Sequence, residues 1–158
     1  MPTDPVLTSA RDALRRSRDD TRAAIDGLPP DALNWRPAGD DTNSIAVLAT
    51  HSLTSTRWWL SVAVDEPLPD RDRDSEFEAL ARHPTELLDF AERLFADCLA
   101  LVDESRTVDW SALRRQWDQD TGTQLSAAWA LLHAVQHLRE HVGQMSLTRQ
   151  LWEQRPAP

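Results

Sequence analysis

The sequence predicts an all-α protein built as a four-helix bundle. Three observations carry this reading. Glycine is scarce, four in 158 residues, while alanine, leucine and arginine are abundant, a composition that suits helices. Apolar residues recur at spacings of three and four along four long stretches. The segments between those stretches are proline-containing or charge-rich, and nowhere does an apolar–polar alternation mark a strand. A chain of this length fits one domain over residues 1–158, and four amphipathic helices bury their faces most economically against one another.

Each element has its own signal. Thr3-Asp4-Pro5 reads as a cap followed by proline in the first turn. Leu7, Ala10, Leu14, Ser17, Thr21, Ala24, Ile25 and Leu28 then form an inward stripe that is partly polar, and Gly27-Leu28-Pro29-Pro30 ends this first helix. Residues 30–37 read as a turn with one short helical segment, and the loop continues through Gly39 to Thr42. The second helix is predicted over about Ser44 to Val64, capped by Asn43 or Thr42, with Leu48, His51, Ser55, Trp58 and Val62 inward. Asp65 to Asp74 lacks periodicity and reads as a solvated loop, with a short helix around Ser75 to Ala81. Pro84 opens a third helix whose face is Leu87, Leu88, Ala91, Leu94, Phe95, Cys98, Leu101 and Val102, ending near Ser105. Thr107 to Thr123 is irregular, with a turn of helix expected at Ser111 to Arg115. The fourth helix is expected from Gln124 or Leu125 to Leu151 or beyond.

The bulk composition excludes several classes of function. Seventeen Lys and Arg against 26 Asp and Glu leave a net charge of −9, which repels nucleic-acid phosphates and anionic membranes. No run approaches the roughly 20 apolar residues that span a bilayer. The N-terminus has no apolar core of a signal peptide, and the single Cys98 allows no internal disulfide, so a reducing compartment, the cytoplasm, is expected. Seven tryptophans without one tyrosine suggest either an aromatic-walled pocket or simply a bulky core.

The chemistry-bearing residues are histidines. His133, His137 and His141 lie four apart on the fourth helix, which places them on one ridge, each step turning the helix by about 40°. That ridge lies roughly 120° from the apolar stripe Leu131, Val135, Leu138, Val142 and Met145, so it borders the buried arc. Two imidazoles one turn apart can share one metal ion, as in helical H-x-x-x-H zinc sites. His51, inward on the second helix, is the natural third ligand. A lone H-x-x-x-H is weak, and a lone inward histidine is more often a hydrogen-bonded core residue; the conjunction is stronger than its parts. His83, before Pro84, reads as a cap or surface residue, Cys98 as inert packing, and Trp58 and Trp59 as core, with Trp58 a candidate pocket wall. Gly143-Gln144 offers a close helix approach and a side-chain amide near the metal.

In sequence order, Leu33-Asn34-Trp35-Arg36-Pro37, Asn43-Ser44-Ile45, the helix carrying His51, Trp58-Trp59, and His137-Leu138-Arg139-Glu140-His141-Val142-Gly143-Gln144 resemble the DinB-like superfamily of metal-dependent enzymes, including its YfiT type. The ordered set spans most of the chain and is more specific than any one part. The resemblance implies an antiparallel bundle with a histidine triad, which carries over to His51, His137 and His141. His133, one turn earlier, then belongs to the pocket wall, although the pair His133 and His137 remains the alternative. Relatives in the family include thiol S-transferases and an isomerase that use low-molecular-weight thiols, and dimers are common among them.

Three neutral imidazoles leave coordination positions open, which marks a catalytic site. Zinc suits nitrogen ligands best, with nickel, iron or manganese as alternatives. The expected chemistry is transfer of a low-molecular-weight thiol to a small electrophile, by a homodimer that binds neither nucleic acid nor membrane. The alternatives are a metal-dependent hydrolase and a non-catalytic dimeric bundle that binds metal incidentally. No general base can be named, because the wheel turns Glu140 to solvent.

Overall fold

Prolines and short polar caps mark most of the helix boundaries in the computed structural model, which describes residues 4–105, 107–116 and 124–156. Helix α1 (Pro5–Ile25) starts with Pro5 in its first turn and the Asp4 carboxylate accepting from the Val6 amide at 2.8 Å; Thr3 lies outside the described residues. It ends ahead of Gly27, whose φ of +75° is a left-handed conformation that glycine adopts without steric cost. Helix α2 (Pro30–Leu33) is the short segment expected in the following turn, and a 3₁₀ turn occupies Gly39–Asp41. Helix α3 (Ile45–Val64) is capped by Ser44, which accepts from the Val47 amide, rather than by Asn43 or Thr42. It stops at Asp65, which takes the left-handed conformation at φ 67°.

Three further expectations need correction. The short helix is α4 (Arg73–Glu76), earlier than Ser75–Ala81, because Asp72 caps it and accepts from the Ser75 amide at 3.2 Å. Ala81 meanwhile uses its backbone to pair with Asn34, donating to Oδ1 and accepting from Nδ2, both at 2.8 Å. Helix α5 (Pro84–Glu104) follows as expected. Next, residues Ser111–Arg115 form no helical turn. They lead into strand β1 (Leu113–Gln116), which pairs antiparallel with β2 (Gln124–Ser126). Leu113 is mostly exposed while Leu125 packs partly buried against the core, so the ribbon's two leucines share no buried face and no apolar–polar alternation reveals its strands. Last, helix α6 (Ala127–Gln154) begins after Ser126, which caps it, not at Gln124 or Leu125.

Among the described residues the fold is all-α apart from that hairpin. The four long helices pack so that α1 touches α5 and α6, and α3 touches α5 and α6. Within α3 and α6 the residue numbers run in opposite directions. Leu48 shares a cleft with Leu147 and Thr148, His51 meets His137 and His141, and Trp59 meets His133 and Trp129. Helices α1 and α5 are likewise antiparallel, Arg11 pairing with Asp103 and Arg22 with Glu92. The contact between α1 and α6 is parallel: Arg139 bonds Asp20, and Arg149 donates to the Ala23 and Asp26 carbonyls at the end of α1. Two antiparallel pairs thus lie side by side, and the long connection 65–83 carries the chain back so that α5 can run the same way as α3. The core includes Leu14, Ile25, Leu53, Leu60, Phe95, Leu138 and Met145, all essentially inaccessible.

Candidate metal centre

Helices α3 and α6 are the pair in most extensive contact, and the histidines meet on that seam. His51 is buried, while His137 and His141 are half-buried one turn apart on α6. The Nε2 atom of His137 lies 3.3 Å from that of His51 and 3.2 Å from that of His141. One ring nitrogen from each of the three residues falls within 4.8 Å of the other two. Zinc–imidazole bonds of about 2.0–2.1 Å at a tetrahedral centre place neighbouring nitrogens roughly 3.3–3.4 Å apart, close to both measured separations.

The donor chemistry fits a cation as well. The His51 Nδ1–H donates to Glu76 Oε2 at 2.8 Å, since a carboxylate can only accept. The His141 Nδ1 lies 2.7 Å from Gln144 Oε1 and takes the donor role there. Both rings are thereby left with bare lone pairs on Nε2. A single proton on His137 Nε2 could bridge to one of them, leaving the other lone pair facing it unsatisfied, whereas a cation accepts all three. Burial lowers the His51 pKa despite its contact with Glu76, and burial together with the neighbouring His141 and His51 pushes His137 down to about 3. Both are therefore neutral near pH 7, the form a metal ligand must have.

Glu76 is the functional residue that sequence reasoning missed. It falls in the short helix expected around Ser75 to Ala81, just after the charged loop, where no site residue was expected, yet its side chain is only 4% exposed. Arg71 holds it bidentately, Nε to Oε1 at 2.7 Å and Nη2 to Oε2 at 2.9 Å. Burial alone would raise its carboxyl, but Arg71, Thr54 and His51 outweigh that and hold it below the usual range. In a run of alternating Asp and Arg, nothing in the spacing separates this one buried acid from its exposed neighbours.

The remaining candidates fall around the triad. His133 stands outside it, stacked on Trp129 at 4.7 Å and 10°, with Trp59 edge-on at 4.7 Å and His137 at 5.6 Å. Trp59 is thus the buried indole at the His133 ring, and Trp58 packs edge-on against Trp59. Glu140 is exposed, as the wheel indicates, and His83 is exposed at the start of α5. Cys98 is buried in the core, its thiol pushed up to about 12 by desolvation. Gln144 joins the triad, through His141, to a cleft of about 280 Å³ lined also by Leu48, Thr42, Asn43, Leu147 and Thr148.

The family model described as the DinB superfamily matches residues 13–145. The chain belongs to the DinB superfamily. Its match includes all three converging histidines and Glu76. This DinB-superfamily fold is similar to that of a conserved protein from Enterococcus faecalis known from its crystal structure. The two share a TM-score of 0.74 at 15% identity, covering 94% of this chain and 97% of that one. Likeness at that identity speaks for the fold alone. No curated protein matches the sequence.

Proposed function

We propose that this DinB-superfamily protein is a metal-dependent enzyme that transfers a low-molecular-weight thiol to a small electrophile, with His51, His137 and His141 as the metal ligands. The observation that carries the reading is the convergence of three imidazoles whose Nε2 atoms face one another. A divalent ion bound there, zinc in the first place and nickel, iron or manganese otherwise, supplies Lewis acidity that lowers the pKa of a thiol or a water molecule. The protein's own share is positional. The α3–α6 seam holds the three rings, Glu76 and Gln144 fix two of them, and Trp59 with His133 walls one flank. The cleft beside Gln144, apolar at Leu48, Leu147 and Leu151 with Thr42, Asn43 and the Asp41 carboxylate at its polar side, suits a small electrophile without negative charge.

In the proposed reaction the sulfur bonds to the electrophilic carbon, and the thiol proton leaves with the displaced group or to solvent. The net charge of −9 argues against nucleic acid as substrate. No helix among the described residues is long and apolar enough to cross a membrane. A cytoplasmic homodimer is the setting we propose. The test begins with elemental analysis of untagged protein purified without a metal column, where one ion per chain is expected. The loaded protein is then offered small thiols with an electrophile, and separately ester and amide substrates. Thiol consumption dependent on all three histidines supports the transferase. Ester or amide turnover alone would make it a hydrolase, and metal without turnover a binding protein.

A further inference from the structure

We infer that Glu76 is the positioning residue of this centre, fixing the His51 imidazole as the Nδ1–H tautomer so that its Nε2 lone pair faces His137 and His141. The inference rests on the metal reading for its purpose, but its geometry stands independently. The three histidines have unlike partners behind them. His51 donates to a buried carboxylate, His141 meets the amide of an exposed glutamine, and the Nδ1 of His137 is buried with no hydrogen-bond partner. Only His51 therefore has an ionic partner, and a carboxylate behind an imidazole both fixes the ring and strengthens its lone pair as a donor.

The surrounding structure is arranged to hold that carboxylate in place. Arg71 grips both of its oxygens. Phe77, the next residue, lies against the His51 ring at 4.6 Å, and its carbonyl accepts from Arg36. Asn34 clamps Ala81 further along. The Asn34-Trp35-Arg36 loop thus secures the connection that delivers Glu76. Burying a carboxylate–guanidinium pair is a poor way to gain stability, because desolvation offsets most of the attraction. Its placement behind His51 is explained by what it does to that ring.

The test uses untagged, chelator-treated full-length protein and zinc as the probe. Long-range ¹H–¹⁵N NMR of the metal-free wild type should show His51 as the Nδ1–H tautomer. In Glu76→Ala the Nε2–H tautomer should become populated, and zinc affinity, read by competition with a chromophoric chelator, should fall by about 10–100-fold. Glu76→Gln, whose amide oxygen can still accept from Nδ1–H, should keep the tautomer and lose less affinity, but more than about threefold. A folded Glu76→Ala that retains both the tautomer and the affinity overturns the inference. If the alanine variant does not fold, Glu76→Gln decides, and unchanged zinc affinity in it is equally fatal. Should the wild type bind no zinc, the metal reading fails while the tautomer comparison still judges Glu76.

Discussion

Helices α3 and α5 are nearly equal in length and solve opposite problems. Of the 20 residues of α3, 15 are buried, against 6 of the 21 in α5. Helix α5 buries one stripe, Leu87, Ala91, Phe95, Cys98, Leu101 and Val102, and leaves its other side to solvent, as an amphipathic helix should. Helix α3 is covered nearly all round and takes polar residues into the interior. Ser52, Thr56 and Ser61 return their hydroxyls to carbonyls of their own helix, so these small side chains need no partner elsewhere. His51 differs in directing both ring nitrogens away from its helix, to Glu76 and to His137. One helix supplies stability and the other holds the chemistry, and the two roles can be separated by substitution.

The largest separation is expected between His51 and Phe95. His51→Ala, His137→Ala and His141→Ala should each weaken zinc binding by more than the roughly 100-fold upper range for loss of an outer partner, measured by chelator competition. His133→Ala should cost less than about tenfold. Equal losses at His133 and none at His51 would move the ligand set to the other pair on α6. Phe95→Ala should instead lower stability by about 3–5 kcal/mol in urea unfolding, since a fully buried ring leaves a cavity, with zinc stoichiometry unchanged. A Phe95 variant that folds but loses its zinc would show that the two helices do not divide their labour.

Acid should act on the same division. The unfolded histidines titrate near 6.5, whereas burial and neighbouring imidazoles hold His137 at about 3. Between those values the unfolded chain binds more protons than the folded one, so the contribution is complete above pH 6.5 and is lost as pH falls toward 3. Urea midpoints at pH 7, 5.5 and 4.5 should decline for the wild type and decline less for His137→Leu, which has no imidazole to protonate. Zinc affinity should fall over the same interval, because protons and metal compete for the rings. Parallel urea profiles for the two proteins would mean that this ring is not held neutral by its surroundings.

How much of this was legible in the sequence follows the same contrast. The stripe of α5 was readable nearly residue by residue, because a helix wet on one side writes its burial into its periodicity. The convergence of His51 with the α6 pair was readable too, from the ridge spacing, from an inward histidine on a distant helix and from the family resemblance. Glu76 was not. Its burial depends on Arg71, five residues away, and on a connection pinned by Asn34 and Arg36, so no local period records it. The hairpin escaped for a related reason, since Leu113 faces solvent and Leu125 alone packs against the core, too little to write a period. Periodicity reveals elements that share a core and says little about segments held by specific polar clamps.

The smallest expected effects concern the starts of the two site helices, which use the same serine cap in different surroundings. Ser44 is 2% exposed and its hydroxyl oxygen accepts from the Val47 amide at 3.2 Å. Ser126 accepts from the Trp129 amide at 3.1 Å in a bond open to solvent. Removing the acceptor leaves an amide that water can reach at α6 and cannot easily reach at α3. Ser44→Ala should therefore cost about 2 kcal/mol, the upper end for such caps, and Ser126→Ala about 1 kcal/mol or less. Zinc affinity should be unchanged in Ser126→Ala, because His137 lies about three turns inside α6, beyond the reach of a frayed first turn. A loss of affinity there would mean that the histidine ridge depends on the whole of α6 being in register.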